Sequence, residues 1–220
     1  MLLRICLFLS MLFCLTSCFE VVEDVTFKKD GSGVFKLIIN LSQSKNELNT
    51  LMKLDSSSGY KIPKEKQLNA YFDQALRTLK TTEGLSNSIV KRDFKNWVFE
   101  IKTDFRNTTD LENGIKNVYG DFSGNKAFIF LNTLAFNGKT FAREIGKPDE
   151  KTLSQLNKPT EKRILGKAKY IAIYRFETNI MAQRNSKAKI SPSKKAVMLQ
   201  CNILNIINGK ETIQNHITLN

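Results

Sequence analysis

From Trp97 to Phe105 the chain alternates without a break. Trp97, Phe99, Ile101, Thr103 and Phe105 share one phase, and Val98, Glu100, Lys102 and Asp104 share the other. In an extended chain successive side chains point to opposite faces. This segment therefore predicts a strand with four large apolar residues on one face, in a sheet packed on one side. Any fold of this chain must bring other elements onto that face.

Several neighbouring segments can supply them. Glu20–Phe27 and Val34–Leu41 read as strands joined by Asp30-Gly31-Ser32-Gly33, a turn in which glycine supplies positive φ. Ser44 to Glu47 has the spacing of a capping box, opening a short helix with Leu48, Leu51 and Met52 inward. Pro63 stands where a second helix starts. Leu68, Tyr71, Phe72, Ala75, Leu76 and Leu79 follow it on one helical face, up to a stop near Gly84. Leu85–Asp93 is a strand turning at Lys95-Asn96 into Trp97. Thr108 or Thr109, with Asp110 and Glu112, opens a third helix with Leu111, Ile115, Val118 and Tyr119 inward.

Ala127–Asn132 and Thr133–Glu144, the latter around Asn137-Gly138, read as further strands. The stretch 145–167 is polar and is expected to be the most mobile, a loop or short helix on the surface. Ala168–Thr178, Ser186–Ile190, Ala196–Ile203 and Glu211–Leu219 complete a β-rich C-terminal part, with a short apolar turn or helix at Leu204–Asn208. The expected class is α+β: a mostly antiparallel sheet built from hairpins, with two or three helices on one face.

The N-terminus is of another kind. A basic Arg4 precedes an apolar run from Ile5 to Leu15, broken at Ser10. A membrane span takes roughly 20 apolar residues, whereas the apolar region of a secretory signal takes about 7–15. The run ends in Leu15-Thr16-Ser17-Cys18, which resembles the bacterial lipobox. That resemblance implies cleavage between Ser17 and Cys18 and acylation of Cys18, with residues 1–17 as signal peptide and 18–220 as a single envelope domain. Lipoprotein maturation attaches several acyl chains, enough for stable anchoring. Phe19 and Glu20 put no aspartate after the cysteine, which by enterobacterial rules favours the outer over the inner membrane.

Removing the signal takes Cys6 and Cys14 with it. With Cys18 acylated, Cys201 alone remains, so no internal disulfide can form and packing must hold the fold. Cys201 lies in a β-like run and reads as a small core residue rather than a reactive thiol. The formal net charge is +13. In an envelope protein this points away from nucleic acid and toward acidic lipid head groups, lipopolysaccharide phosphates or acidic glycans. No dense basic block occurs; the nearest are Lys158–Lys169 and Lys187–Lys195, and both read as charge spread over a solvated surface.

No catalytic constellation is legible. His216 is the single histidine, and it reads as an exposed or edge-strand residue rather than part of a triad. Zinc ligation needs more His and Cys than the mature chain has, no phosphate-binding glycine loop occurs, and no cofactor is implied. Glu20, Glu23 and Asp24, like Glu100 and Asp104, read as solvated acids rather than a glycosidase pair. The 15 phenylalanines are largely core.

Three local features carry a looser likeness: the lipobox followed at once by a strand and the Asp30–Phe35 hairpin, the Asn185–Val197 segment, and Asn202–Gly209 before a last strand. Together they resemble uncharacterised envelope lipoproteins, some of the mycobacterial LppM type. The resemblance implies an α+β domain without established enzymatic activity. The first functional expectation is a non-catalytic, lipid-anchored envelope protein that binds a protein or envelope component. The alternative is a carrier or sensor of a lipid-like ligand, with an apolar pocket lined by residues such as Phe72, Trp97 and Phe99. A carboxylate-dependent hydrolase comes last.

Overall fold

The computed structural model describes residues 19–57, 60–122, 134–146 and 150–220. Ser17, Cys18 and the expected strand Ala127–Asn132 lie outside them. In chain order the elements are β1 (Glu20–Phe27), β2 (Gly33–Asn40), α1 (Lys45–Leu51), β3 (Ser56–Ser57), β4 (Tyr60–Lys61), α2 (Glu65–Thr81), β5 (Leu85–Asp93), β6 (Val98–Phe105) and α3 (Thr108–Phe122). They continue with β7 (Leu134–Phe136), β8 (Thr140–Arg143), α4 (Glu150–Leu156), α5 (Pro159–Leu165), β9 (Lys169–Phe176), β10 (Ile180–Gln183), β11 (Lys189–Ile190), β12 (Ala196–Asn202), α6 (Ile203–Ile207) and β13 (Asn215–Leu219).

Two sheets dominate, in the expected α+β class. The larger runs β11-β12-β9-β1-β2-β6-β5, the smaller β10-β13-β8-β7. The β1–β2 hairpin closes as the turn chemistry requires. Gly31 has φ 87, and Asp30 Oδ1 accepts from the Ser32 N–H at 2.9 Å and from its hydroxyl at 2.7 Å. Gly33 also has no room for a side chain, since a Cβ there would stand 2.1 Å from the Thr26 carbonyl oxygen. One pairing is parallel: β9 returns from the far end of the chain to lie beside β1, Val21 next to Tyr170 and Phe27 next to Phe176.

Register sorts the inward side chains into rows across the larger sheet. Phe99, Ile39, Val21 and Tyr170 form one row; Ile101, Leu37, Glu23 and Ala172 the next; Thr103, Phe35, Val25 and Tyr174 a third; Phe105, Gly33, Phe27 and Phe176 a fourth. The fourth row is filled from the smaller sheet. Phe136 and Phe141 stand 4.8 and 5.3 Å, centroid to centroid, from Phe27, and Phe176 stacks on Phe27 at 5.6 Å. Fully burying each such ring stabilises by roughly 1.5–3 kcal/mol, so this aromatic cluster fixes the two sheets together without a disulfide. Helices α2 and α3 cover the same face over β2, β6 and β5. The opposite face is mixed, with Val22, Ile38, Ile171 and Ile173 half-buried among Asp24, Lys36 and Lys102.

Local starts and stops differ from the sequence expectations in four places. Ser44 occupies the N-cap of α1, but its side chain makes no capping hydrogen bond, so the capping box with Glu47 does not form. Pro63 lies before α2 rather than in its first turn; there the Gln67 side chain accepts from the Lys64 N–H at 2.9 Å. Helix α3 is capped by Asn107, not by Thr108 or Thr109: Asn107 Oδ1 accepts from the Asp110 N–H at 2.9 Å. Trp97 is in the turn before β6 with φ 57, although its ring keeps the inward phase. The polar stretch 145–167 carries the two short helices α4 and α5. No helix among the described residues is long and apolar enough to cross a membrane.

Candidate functional site

The fourth row is packed tight; the first three are not. Between them and the helices α2 and α3 lies a cavity of about 930 Å³. Its floor is Val21 and Glu23 of β1, Phe35, Leu37 and Ile39 of β2, and Ile101 and Thr103 of β6. Phe72, Ala75 and Leu79 of α2 and Leu111, Ile115 and Tyr119 of α3 form its roof. The helical i, i+3, i+4 spacing that marks these residues as inward is what lines the space. Exposure rises along the cavity. Thr103, Leu111 and Leu134 are buried at the end next to the aromatic cluster, and Phe19, Ile39 and Tyr71 are half-buried or exposed at the end where β1 begins.

One wall is polar. Glu23 is 5% exposed and Arg143 2% exposed, and Arg143 Nη2 donates to Glu23 Oε2 at 2.9 Å. The Tyr170 hydroxyl donates to the same oxygen at 2.6 Å, and the Tyr174 hydroxyl donates to Oε1 at 2.7 Å. Burial, then the Glu23 charge, pushes both phenols well above the ordinary tyrosine value, so they remain donors across the physiological range. Burial opposes the Arg143 charge, but the adjacent carboxylate outweighs it and holds the guanidinium above its usual value. Tyr119 is pushed up to about 12, by burial and then by the field of Glu23.

Glu23, expected from the sequence to be a solvated acid, is buried in an ion pair. The signal was present in the alternation. Glu23 shares its phase with Val21, Val25 and Phe27, and Arg143 shares its phase with Phe141, so each strand turns one charge inward, of opposite sign. The other acids are engaged at the surface. Glu20 lies 3.7 Å from Lys169, Asp24 accepts from Arg175 at 3.0 and 3.1 Å, Glu100 pairs with Lys91 at 3.0 Å, and Asp104 accepts from Asn87 at 2.8 Å. Glu112, at the cavity, accepts from the Leu134 N–H at 2.6 Å.

Of the three aromatic residues proposed for a pocket, Phe72 lines the cavity. Phe99 stacks behind it at 5.0 Å, and Trp97 and Phe94 complete an edge-to-face wedge. Trp97 Nε1 donates to Asn49 Oδ1 at 2.8 Å, tying α1 to the sheet. Phe99 and Trp97 thus support the wall rather than form it. The cavity residues Leu37, Ile101, Ala75 and Tyr170 look like ordinary core positions until the strands and helices are placed, and Arg143 is marked only by its phase with Phe141.

Cys201 is buried, as a core residue, and its thiol is pushed up to about 11 by burial and then by the Glu211 charge. His216 is exposed and pairs with Glu144 at 2.8 Å. It stands on β13, an inner strand flanked by β10 and β8 rather than an edge. Among the described residues no group of three His, Cys, Asp or Glu side chains is placed to hold a metal.

No family model matches the sequence, and no curated protein matches it. Among solved structures, the NMR structure of the folded domain of Mycobacterium tuberculosis LppM is similar over 92% of this chain and 90% of that chain, at 13% identity and a TM-score of 0.45.

Proposed function

We propose that the chain is a membrane-anchored lipoprotein of the bacterial envelope whose domain holds a lipid-like hydrophobic ligand in the cavity, without reacting with it. The cavity is the observation that carries this reading. Protein interiors leave few voids larger than a water molecule, and small-molecule sites measure about 300–1,000 Å³; this one, at about 930 Å³, is at the upper end. Its lining is mostly aliphatic and aromatic, with the buried Glu23–Arg143–Tyr170 cluster as a fixed polar wall. Apolar surroundings with a few placed polar groups suit an acyl chain that carries a polar end. The cavity moves the weight from a protein partner, the first expectation, to the ligand.

Titration with a fluorescent polyene fatty acid tests the reading. One saturable site is expected. Across a homologous series of fatty acids, each added methylene contributes about 0.8 kcal/mol, or roughly fourfold in Kd, until the cavity is full. Ala75→Phe, which fills the space from α2, is expected to weaken binding at least tenfold while the fold persists. No saturable binding across the series, or equal binding by Ala75→Phe, sinks the proposal. The anchor is tested separately: the native chain should gain acyl mass and sediment with membranes, and Cys18→Ala should do neither.

A further inference from the structure

The residues from Lys158 to Lys169 carry five cations and one carboxylate, Glu161. Lys158, Lys162, Arg163 and Lys167 are exposed, and among them Ile164 is 43% exposed, an apolar side chain set in a basic surface. The next residue, Leu165, turns inward and lines the cavity together with Phe19. The stretch ends against the start of β1, where the Lys169 N–H donates to the Phe19 carbonyl at 3.0 Å. Phe19 follows Cys18 directly in the sequence.

We propose that α5 and the residues after it, through Lys169, form a docking face for an anionic phospholipid bilayer. The cations lie over the head groups, Ile164 enters the interface, and the open end of the cavity is turned toward the membrane. Cations near an anionic surface and an inserted apolar side chain act together in interfacial binding. Placing Leu165 and Phe19 at that surface lets an acyl chain pass between bilayer and cavity without crossing water. This orientation rests on the anchor and ligand readings above, but the surface binding itself needs neither.

The test uses the chain from residue 18 with Cys18→Ser, which retains every described element and has no lipid. It is sedimented with vesicles of phosphatidylglycerol and phosphatidylcholine, and with phosphatidylcholine alone. Lys162→Gln/Arg163→Gln/Lys167→Gln is compared with Lys189→Gln/Lys194→Gln/Lys195→Gln, an equal change of charge on the distant exposed hairpin of β11 and β12. The first triple should weaken partition to the anionic vesicles on the order of 100-fold, and Ile164→Ser should weaken it severalfold. The second triple should bind much as the parent does. Equal losses in the two triples would assign binding to bulk charge and overturn the docking face, as would equal binding of the parent to neutral vesicles or no binding to anionic ones. Fatty-acid titration of the first triple separates the two proposals. Intact ligand binding with lost vesicle binding is the expected result, whereas a parent chain that binds anionic vesicles but no fatty acid sinks the cavity reading alone.

Discussion

Arg143→Met is the most informative change in the cavity wall. It removes the Arg143 Nη2 contact of 2.9 Å and leaves the Glu23 carboxylate buried with only the Tyr170 and Tyr174 hydroxyls, at 2.6 and 2.7 Å. Breaking one partner out of a buried ion pair costs about 3–5 kcal/mol, because a charge is left without its counter-charge. For a domain of this size that corresponds to a fall in Tm of roughly 6–20 °C. Adding Glu23→Gln removes the stranded charge while keeping groups that can bond both phenols. The double variant should therefore regain roughly 2 kcal/mol over Arg143→Met alone, a coupling typical of contacting residues. Urea unfolding followed by the fluorescence of the single tryptophan, Trp97, measures both. A loss below about 1 kcal/mol for Arg143→Met, the range of exposed pairs, would refute the reasoning, because it would mean that water in the cavity solvates Glu23.

Cys201 should resist thiol reagents at neutral pH until urea unfolds the chain. Its thiol titrates at about 11 when folded against an ordinary 9.0, so its share of stability is full below pH 9 and is lost as pH rises toward about 11; unfolding midpoints of Cys201→Ala should show a shallower alkaline decline than those of the parent. Asn107→Ala, which uncaps α3 by deleting the bond to the Asp110 N–H, should cost about 1 kcal/mol in urea unfolding, whereas Thr109→Ala, outside the cap, should cost far less.

Period-two and helical patterns made most of the elements legible, because both express which side of a short segment meets apolar surroundings. The β1–β2 hairpin, the inward face of β6 and the apolar stripes of α2 and α3 needed nothing beyond neighbouring residues. Helix starts were less legible, since Ser44, Asn107 and Thr108 all have capping side chains and only the backbone direction selects among them. The lipobox reading of Cys18 is likewise a matter of sequence, outside the described residues.

What tertiary structure alone decided is long-range and collective. Glu23 meets Arg143 across 120 positions and Tyr170 across 147, and the parallel pairing of β1 with β9 that brings Tyr170 there leaves no local trace. The cavity is less legible still, because Leu37, Ala75 and Ile101 carry the same apolar pattern whether the space between them is filled or not. Side-chain chemistry determines which faces turn inward. How far α2 and α3 stand from the sheet is set by the sum of contacts at their ends, the aromatic cluster on one side and the Phe72–Phe99 stack on the other, and that separation leaves a cavity where a core would otherwise close.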